Sequence, residues 1–157
     1  MQSEGVGACL KHFACNNQEY KRFSSNSVLD SRTLRELYLR GFELAVREGR
    51  PAAVMCAYNA VNGEHCSDSR ALLTDILRGD WGFEGAVVTD WGATSDRIKG
   101  FKAGCDLMMP GGSRYMERDC LRALERGEFA VTAEMAPPKG YDFSEQLAAA
   151  ALLKGRV

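Results

Sequence analysis

No apolar run in this sequence approaches the ~20 residues that a membrane-spanning helix needs, and no membrane partner is expected. Neither sign of charge prevails: 20 Lys and Arg stand against 21 Asp and Glu, a net charge of −1. Nothing therefore draws the chain to nucleic acid or to an anionic surface. The opening residues, Met1-Gln-Ser-Glu-Gly-Val-Gly7, lack both a basic segment and an apolar core. No secretory signal is visible, and a cytoplasmic location is expected. Glycine-rich phosphate loops are missing as well. No strand leads into GxGxxG or a P-loop, and Pro110-Gly-Gly-Ser113 reads as a strand-ending turn. No cofactor is expected.

Cysteine is plentiful but unpaired in pattern. The six (Cys9, Cys15, Cys56, Cys66, Cys105 and Cys120) contain no C-x-x-C pair. Cys9-x-x-His12-x-x-Cys15 lacks a second ligand pair at finger-like spacing, and His65-Cys66 is a single adjacent pair, so no metal site is expected. Free thiols in a reducing compartment are the simpler reading.

What is present is a βα rhythm in a chain of 157 residues, long enough to bury a core. Strands are expected at Val6–Leu10, Ala52–Ala57, residues 86–89 and Cys105–Met109. Each is a short apolar run followed by a helical pattern, and together they argue for parallel βα units, an α/β fold. Asp30 or Ser31 can cap the first long helix. Leu34, Leu37, Tyr38, Phe42, Ala45 and Val46 form its apolar stripe, and Gly49 with Pro51 stops it. Glu36 with Arg40, and Glu43 with Arg47, stand four residues apart on its wet face. Further helices are expected near Ser69–Arg78, closed by Gly79, at Thr94–Ala103 and at Tyr115–Arg126. Val61-Asn-Gly-Glu-His-Cys66 reads as a loop. Four such units make half a closed barrel or a small open sheet, because a complete eight-unit barrel needs ~200 residues or more.

The polar residues that follow the strands are the ones with chemistry to explain. Lys11 and His12 follow the first, Tyr58 and Asn59 the second, Asp90 and Trp91 the third. In a parallel α/β fold the carboxyl ends of the strands converge on one crevice. A carboxylate beside an indole there can attack a carbon centre, or grip a polyol while the ring stacks on it. The same residues also suit plain packing: a satisfied core histidine, a core tyrosine with its hydroxyl bonded, a tryptophan filling space. Position alone leaves both readings open.

Six ordered segments narrow the choice. They are Lys11-His-Phe-Ala-Cys-Asn-Asn-Gln-Glu19 with Arg22, Ser31-Arg-Thr-Leu-Arg-Glu-Leu-Tyr38, Val54-Met-Cys-Ala-Tyr-Asn59 with Val61-Asn-Gly63, Leu72-Leu-Thr74 with Trp81-Gly-Phe83, Val87-Val-Thr-Asp-Trp91, and Ala103-Gly-Cys-Asp-Leu107 with Pro110-Gly111. In this order they resemble the barrel domain of glycoside hydrolase family 3, the β-glucosidase type, across roughly Gly5 to Gly127. The resemblance implies about the second half of a TIM-like (β/α)8 barrel over residues 5–130, then a linker and short helix over 131–157. It implies that Asp90 is the catalytic nucleophile of a retaining hydrolase acting on terminal β-glucosyl residues. Lys11, His12, Arg22, Met55, Tyr58 and Trp91 would then bind a β-glucoside or oligosaccharide. It implies too that the upstream strands and the acid/base glutamate of a second domain belong to a longer enzyme, without which the isolated chain is expected to be inactive or nearly so on an ordinary aryl β-glucoside. A non-catalytic carbohydrate-binding or assembly fragment is the alternative. Open sheet edges would favour self-association.

Overall fold

The computed structural model describes residues 2–127; the expected linker and helix of 131–157 lie outside them. In chain order the elements are β1 (Cys9–Phe13), β2 (Asn26–Ser27), α1 (Ser31–Thr33), a π-helical segment Leu34–Tyr38, α2 (Arg40–Gly49), β3 (Ala53–Cys56), β4 (Ala60–Val61) and β5 (Glu64–His65). A 3-10 turn Cys66–Asp68, a second π-helical segment Ala71–Asp80, β6 (Ala86–Thr89), α3 (Arg97–Ala103) and α4 (Arg114–Glu125) follow.

The parallel sheet runs β1-β3-β6, with rows Leu10–Val54–Val87 and Phe13–Cys56–Thr89 crossing all three strands. Those rows carry the core face: Phe13, Val54, Cys56 and Val87 are fully buried. Leu39, Val46, Leu73 and Leu77 pack over them from the helices. Each such side chain removed from water contributes ~1.5–3 kcal/mol. Phe13 anchors the centre, edge-on to Phe42 at 5.2 Å and to Trp81 at 5.8 Å between ring centroids. The result is an α/β fold with a parallel sheet backed by helices.

The first strand begins later than the expected Val6–Leu10. Pairing with β3 selects Cys9–Phe13, so Lys11 and His12 lie within the strand rather than after it. Only an isolated bridge, Val88 to Leu107, remains of the expected fourth strand. A second small sheet, β2-β4-β5, was not expected. Its β4–β5 pair turns through Asn62 (φ 52°) and Gly63 (φ 91°), both left-handed, as a two-residue hairpin demands.

Helix starts follow their caps. Asp30 Oδ1 accepts from the Arg32 and Thr33 N–H groups at 2.9 and 3.0 Å, which settles the choice between Asp30 and Ser31. The π segment that follows widens one turn and shifts the helical phase. Leu37, expected on the apolar stripe, is 69% exposed, while Leu39 is fully buried. Glu43 pairs with Arg47 at 3.0 Å, but Glu36 pairs with Arg32 instead of Arg40. The second π segment runs through Gly79 to Asp80, and the stop falls at Gly82 (φ 70°), where the Gly82 N–H returns to the Arg78 carbonyl. The helix expected from Thr94 starts at Arg97, because Asp96 supplies the cap.

Candidate active site

Strand β6 ends at Thr89 and delivers Asp90 to the rim of the sheet. The Asp90 N–H donates to the Cys56 carbonyl at the end of β3, so the sheet ladder continues one residue past the strand. The chain then turns sharply. Gly92 takes φ 79°, its N–H bonds the Met109 carbonyl, and the Ala93 N–H returns to the Asp90 carbonyl. The backbone around Asp90 is thus held at three points.

His12 Nε2 lies 3.1 Å from Asp90 Oδ2, with 36% and 17% of the two side chains exposed. Asp90 is thus reachable from solvent and does not point into packed hydrocarbon. Its other oxygen accepts the Trp91 N–H at 2.7 Å. Tyr58, buried just beyond the end of β3, donates its hydroxyl to the Trp91 carbonyl at 3.1 Å. Burial, then a hydrogen bond with Asp90 and that carboxylate's charge, raise the Tyr58 phenol above its ordinary value, with Arg22 opposing. The neutral phenol is therefore the resting form of Tyr58.

Arg22 spreads its guanidinium over the Tyr58 ring at 4.3 Å from the centroid and is held by Glu19 at 2.7 Å. Phe23, whose ring lies 4.4 Å from that of Tyr58, was missed from the sequence. Its adjacency to Arg22 was the available signal. The Trp91 indole is 63% exposed, a free aromatic face beside the carboxylate.

Four of the expected residues, His12, Tyr58, Trp91 and Arg22, are thus joined to Asp90 directly or through one another. Lys11 and Met55 are not. Lys11 is exposed, and among the described residues its side chain has no hydrogen bond or ion pair to the Asp90 group. Met55 is half-buried on β3, paired with Val88 one row before the strand end. Buried Asn59 ties the second strand end to the first, its Nδ2 donating to the Ala14 carbonyl at 3.1 Å. Among the described residues, no three His, Cys, Asp or Glu side chains are grouped to hold a metal ion.

Chemically, the arrangement presents one accessible carboxylate, an imidazole able to donate to it, a neutral phenol and an aromatic platform. The family model for the glycosyl hydrolase family 3 N terminal domain matches residues 1–135. The chain belongs to that family. Thermostable beta-glucosidase B of Acetivibrio thermocellus is 50% identical over 130 residues, which is 83% of this chain and 17% of the relative. A beta-glucosidase of Kluyveromyces marxianus is 48% identical over 134 residues, 85% of this chain and 16% of the relative. The solved structure of beta-glucosidase 3B from Thermotoga neapolitana in complex with glucose matches at 46% identity and a TM-score of 0.78. That match covers 82% of this chain and 19% of that one. This family 3 chain therefore spans about a sixth of the length of the curated relatives it matches, and its sheet is part of a barrel.

Proposed function

We propose that this family 3 chain supplies the nucleophile side of a β-glucosidase active site, with Asp90 attacking the anomeric carbon of a terminal β-linked glucose. The observation that carries this reading is the Asp90–His12 contact at a solvent-reachable strand end, with the exposed Trp91 indole beside it. A retaining glycosidase uses two carboxyl groups ~5–5.5 Å apart, one attacking C1 and the other protonating the leaving oxygen. Asp90 takes the first role, and the second falls to a carboxyl outside the described residues, as the family resemblance implies. His12 and Tyr58 hold the carboxylate oriented. Trp91 stacks on the sugar, and Lys11, Arg22 and Met55 complete the contacts. Beta-glucosidase 3B of Thermotoga neapolitana was solved in complex with glucose, which supports a glucoside as the ligand.

A general acid contributes ~10²–10⁴-fold, and it does so by protonating a poor leaving group. An aryl β-glucoside with a dinitrophenyl leaving group departs without that help, so it isolates the work of Asp90. Release of dinitrophenolate by the chain, abolished in Asp90→Asn with glucose affinity nearly unchanged, is the expected outcome. Glucose binding with no release in the parent would favour a carbohydrate-binding fragment instead. We extend the proposal to a reducing, cytoplasmic setting, which the six free thiols support.

A further inference from the structure

The turn between β6 and α3, residues 90–96, carries both Asp90 and Trp91, and it leans on a buried polar couple. Ser67 and Asp68, in the 3-10 turn after β5, are 1% and 7% exposed. Ser67 Oγ lies 2.8 Å from Asp68 Oδ1 and 3.3 Å from the Ala93 carbonyl, two acceptors for one hydroxyl proton. Asp96 faces the Asp68 carboxyl from the start of α3. Asp96 in turn caps α3 through the Ile98 and Lys99 N–H groups at 3.0 and 3.1 Å. Helix α3 sits tightly on the couple, since a Cβ at Gly100 would lie 3.3 Å from the Ser67 carbonyl oxygen and 3.8 Å from Asp68 Oδ1. The turn is therefore held at Ala93 by the Ser67 hydroxyl, with Asp96 facing the Asp68 carboxyl beside it.

We propose that Asp68, acting with Ser67, is a positioning residue for the 90–96 turn and through it for Asp90 and Trp91. Its consequence for catalysis rests on Asp90 being the nucleophile; the pinning of the turn does not. The groups facing the carboxyl are His65 from β5, Asp96 at the start of α3, Cys56 at the end of β3 and Cys66 in its own turn. His65 favours the charged form and Asp96 opposes it. No ion pair reaches Asp68 among the described residues. Burial dominates and pushes this carboxyl above the ordinary carboxylate range. When the turn opens, the carboxyl is hydrated and returns to its ordinary value, so the closed turn binds the proton more tightly. Protonation therefore favours closure, and closure weakens as pH rises through the raised value.

Fluorine NMR of the chain carrying fluorotryptophan reads this directly, because Trp91 lies on the turn while Trp81, 7% exposed, sits in the core as a control. In the parent, the Trp91 resonance is expected to show an acid step that Trp81 lacks. Asp68→Asn is neutral and keeps the acceptor oxygen, so it should hold Trp91 at its acid limit and remove that step. Ser67→Ala removes a hydroxyl that stabilises the carboxylate. It should move the step to higher pH by about threefold to tenfold in proton affinity, the worth of one such hydrogen bond. Identical Trp91 titrations in the parent and Asp68→Asn would overturn the proposal. Should Asp68→Asn collapse both resonances, Ser67→Ala decides: a shifted step supports positioning by Asp68, and an unmoved one refutes it. Loss of dinitrophenolate release with the step intact would discard the nucleophile reading alone.

Discussion

At the scale of single residues, the site turns on where strand ends place a few polar atoms. Asp90 and His12 are 78 positions apart in the chain and 3.1 Å apart in space, because parallel strands bring their carboxyl ends to one rim. That much was legible from short apolar runs ending in polar residues. The Arg22–Phe23–Tyr58 stack and the Ser67–Asp68 couple were not, since they arise from loops whose paths no periodicity encodes. Tyr58 links the two kinds of contact, bonding the Trp91 carbonyl while facing Asp90. Tyr58→Phe keeps the ring under Arg22 and deletes only the hydroxyl. Dinitrophenolate release by that variant should fall about tenfold, the worth of one hydrogen bond that holds the turn beside the reacting group. An unchanged rate would mean that the phenol does not orient the carboxylate.

At the scale of elements, β6 fell at residues 86–89 as its β-branched run implies, whereas β1 came three residues late. The apolar run Val6–Leu10 has the right composition, but the register with β3 selects the pairing residues, and composition does not encode register. The Asn62-Gly63 pair carried a hairpin signal that a loop reading overlooked. Periodicity also assumed one helical phase through Leu34–Gly49, and the π segment breaks it. Leu39→Ala should therefore cost ~2–5 kcal/mol, while Leu37→Ala stays within ~0.5 kcal/mol, as read by urea midpoints. The reverse order would restore the uninterrupted helix. The cap at Asp30 has a pH signature. Its carboxyl lies below the usual range because the Thr33 hydroxyl and N–H groups bond it. Its contribution is full above the unfolded value and is lost as pH falls through the lower folded one. Asp30→Ala should unfold at lower urea than the parent near neutrality, and the two midpoints should converge in strong acid.

At the scale of the whole molecule, the described residues form a section of barrel wall with β1 at an open edge. The other side of the sheet is better covered, since Leu107 bridges Val88 and the Leu107 N–H and carbonyl bond Val87 and Thr89. At the β1 edge, Cys9 is exposed and Val6 is 54% exposed. We expect two copies of the chain to associate through that edge, as unpaired strands do. Sedimentation velocity should show mass rising with concentration, and Cys9→Lys, a charge on the edge, should suppress it. A parent that stays monomeric at high concentration would contradict this. The central claim, that Asp90 forms the bond to sugar carbon, has its own direct test. A fluorosugar β-glucoside with a dinitrophenyl leaving group slows hydrolysis of the glycosyl-enzyme and traps it. After trypsin digestion, mass spectrometry should find the added sugar on the peptide 79–97 and, by fragmentation, on Asp90. A label on any other residue, or none on a chain that binds glucose, would contradict the account.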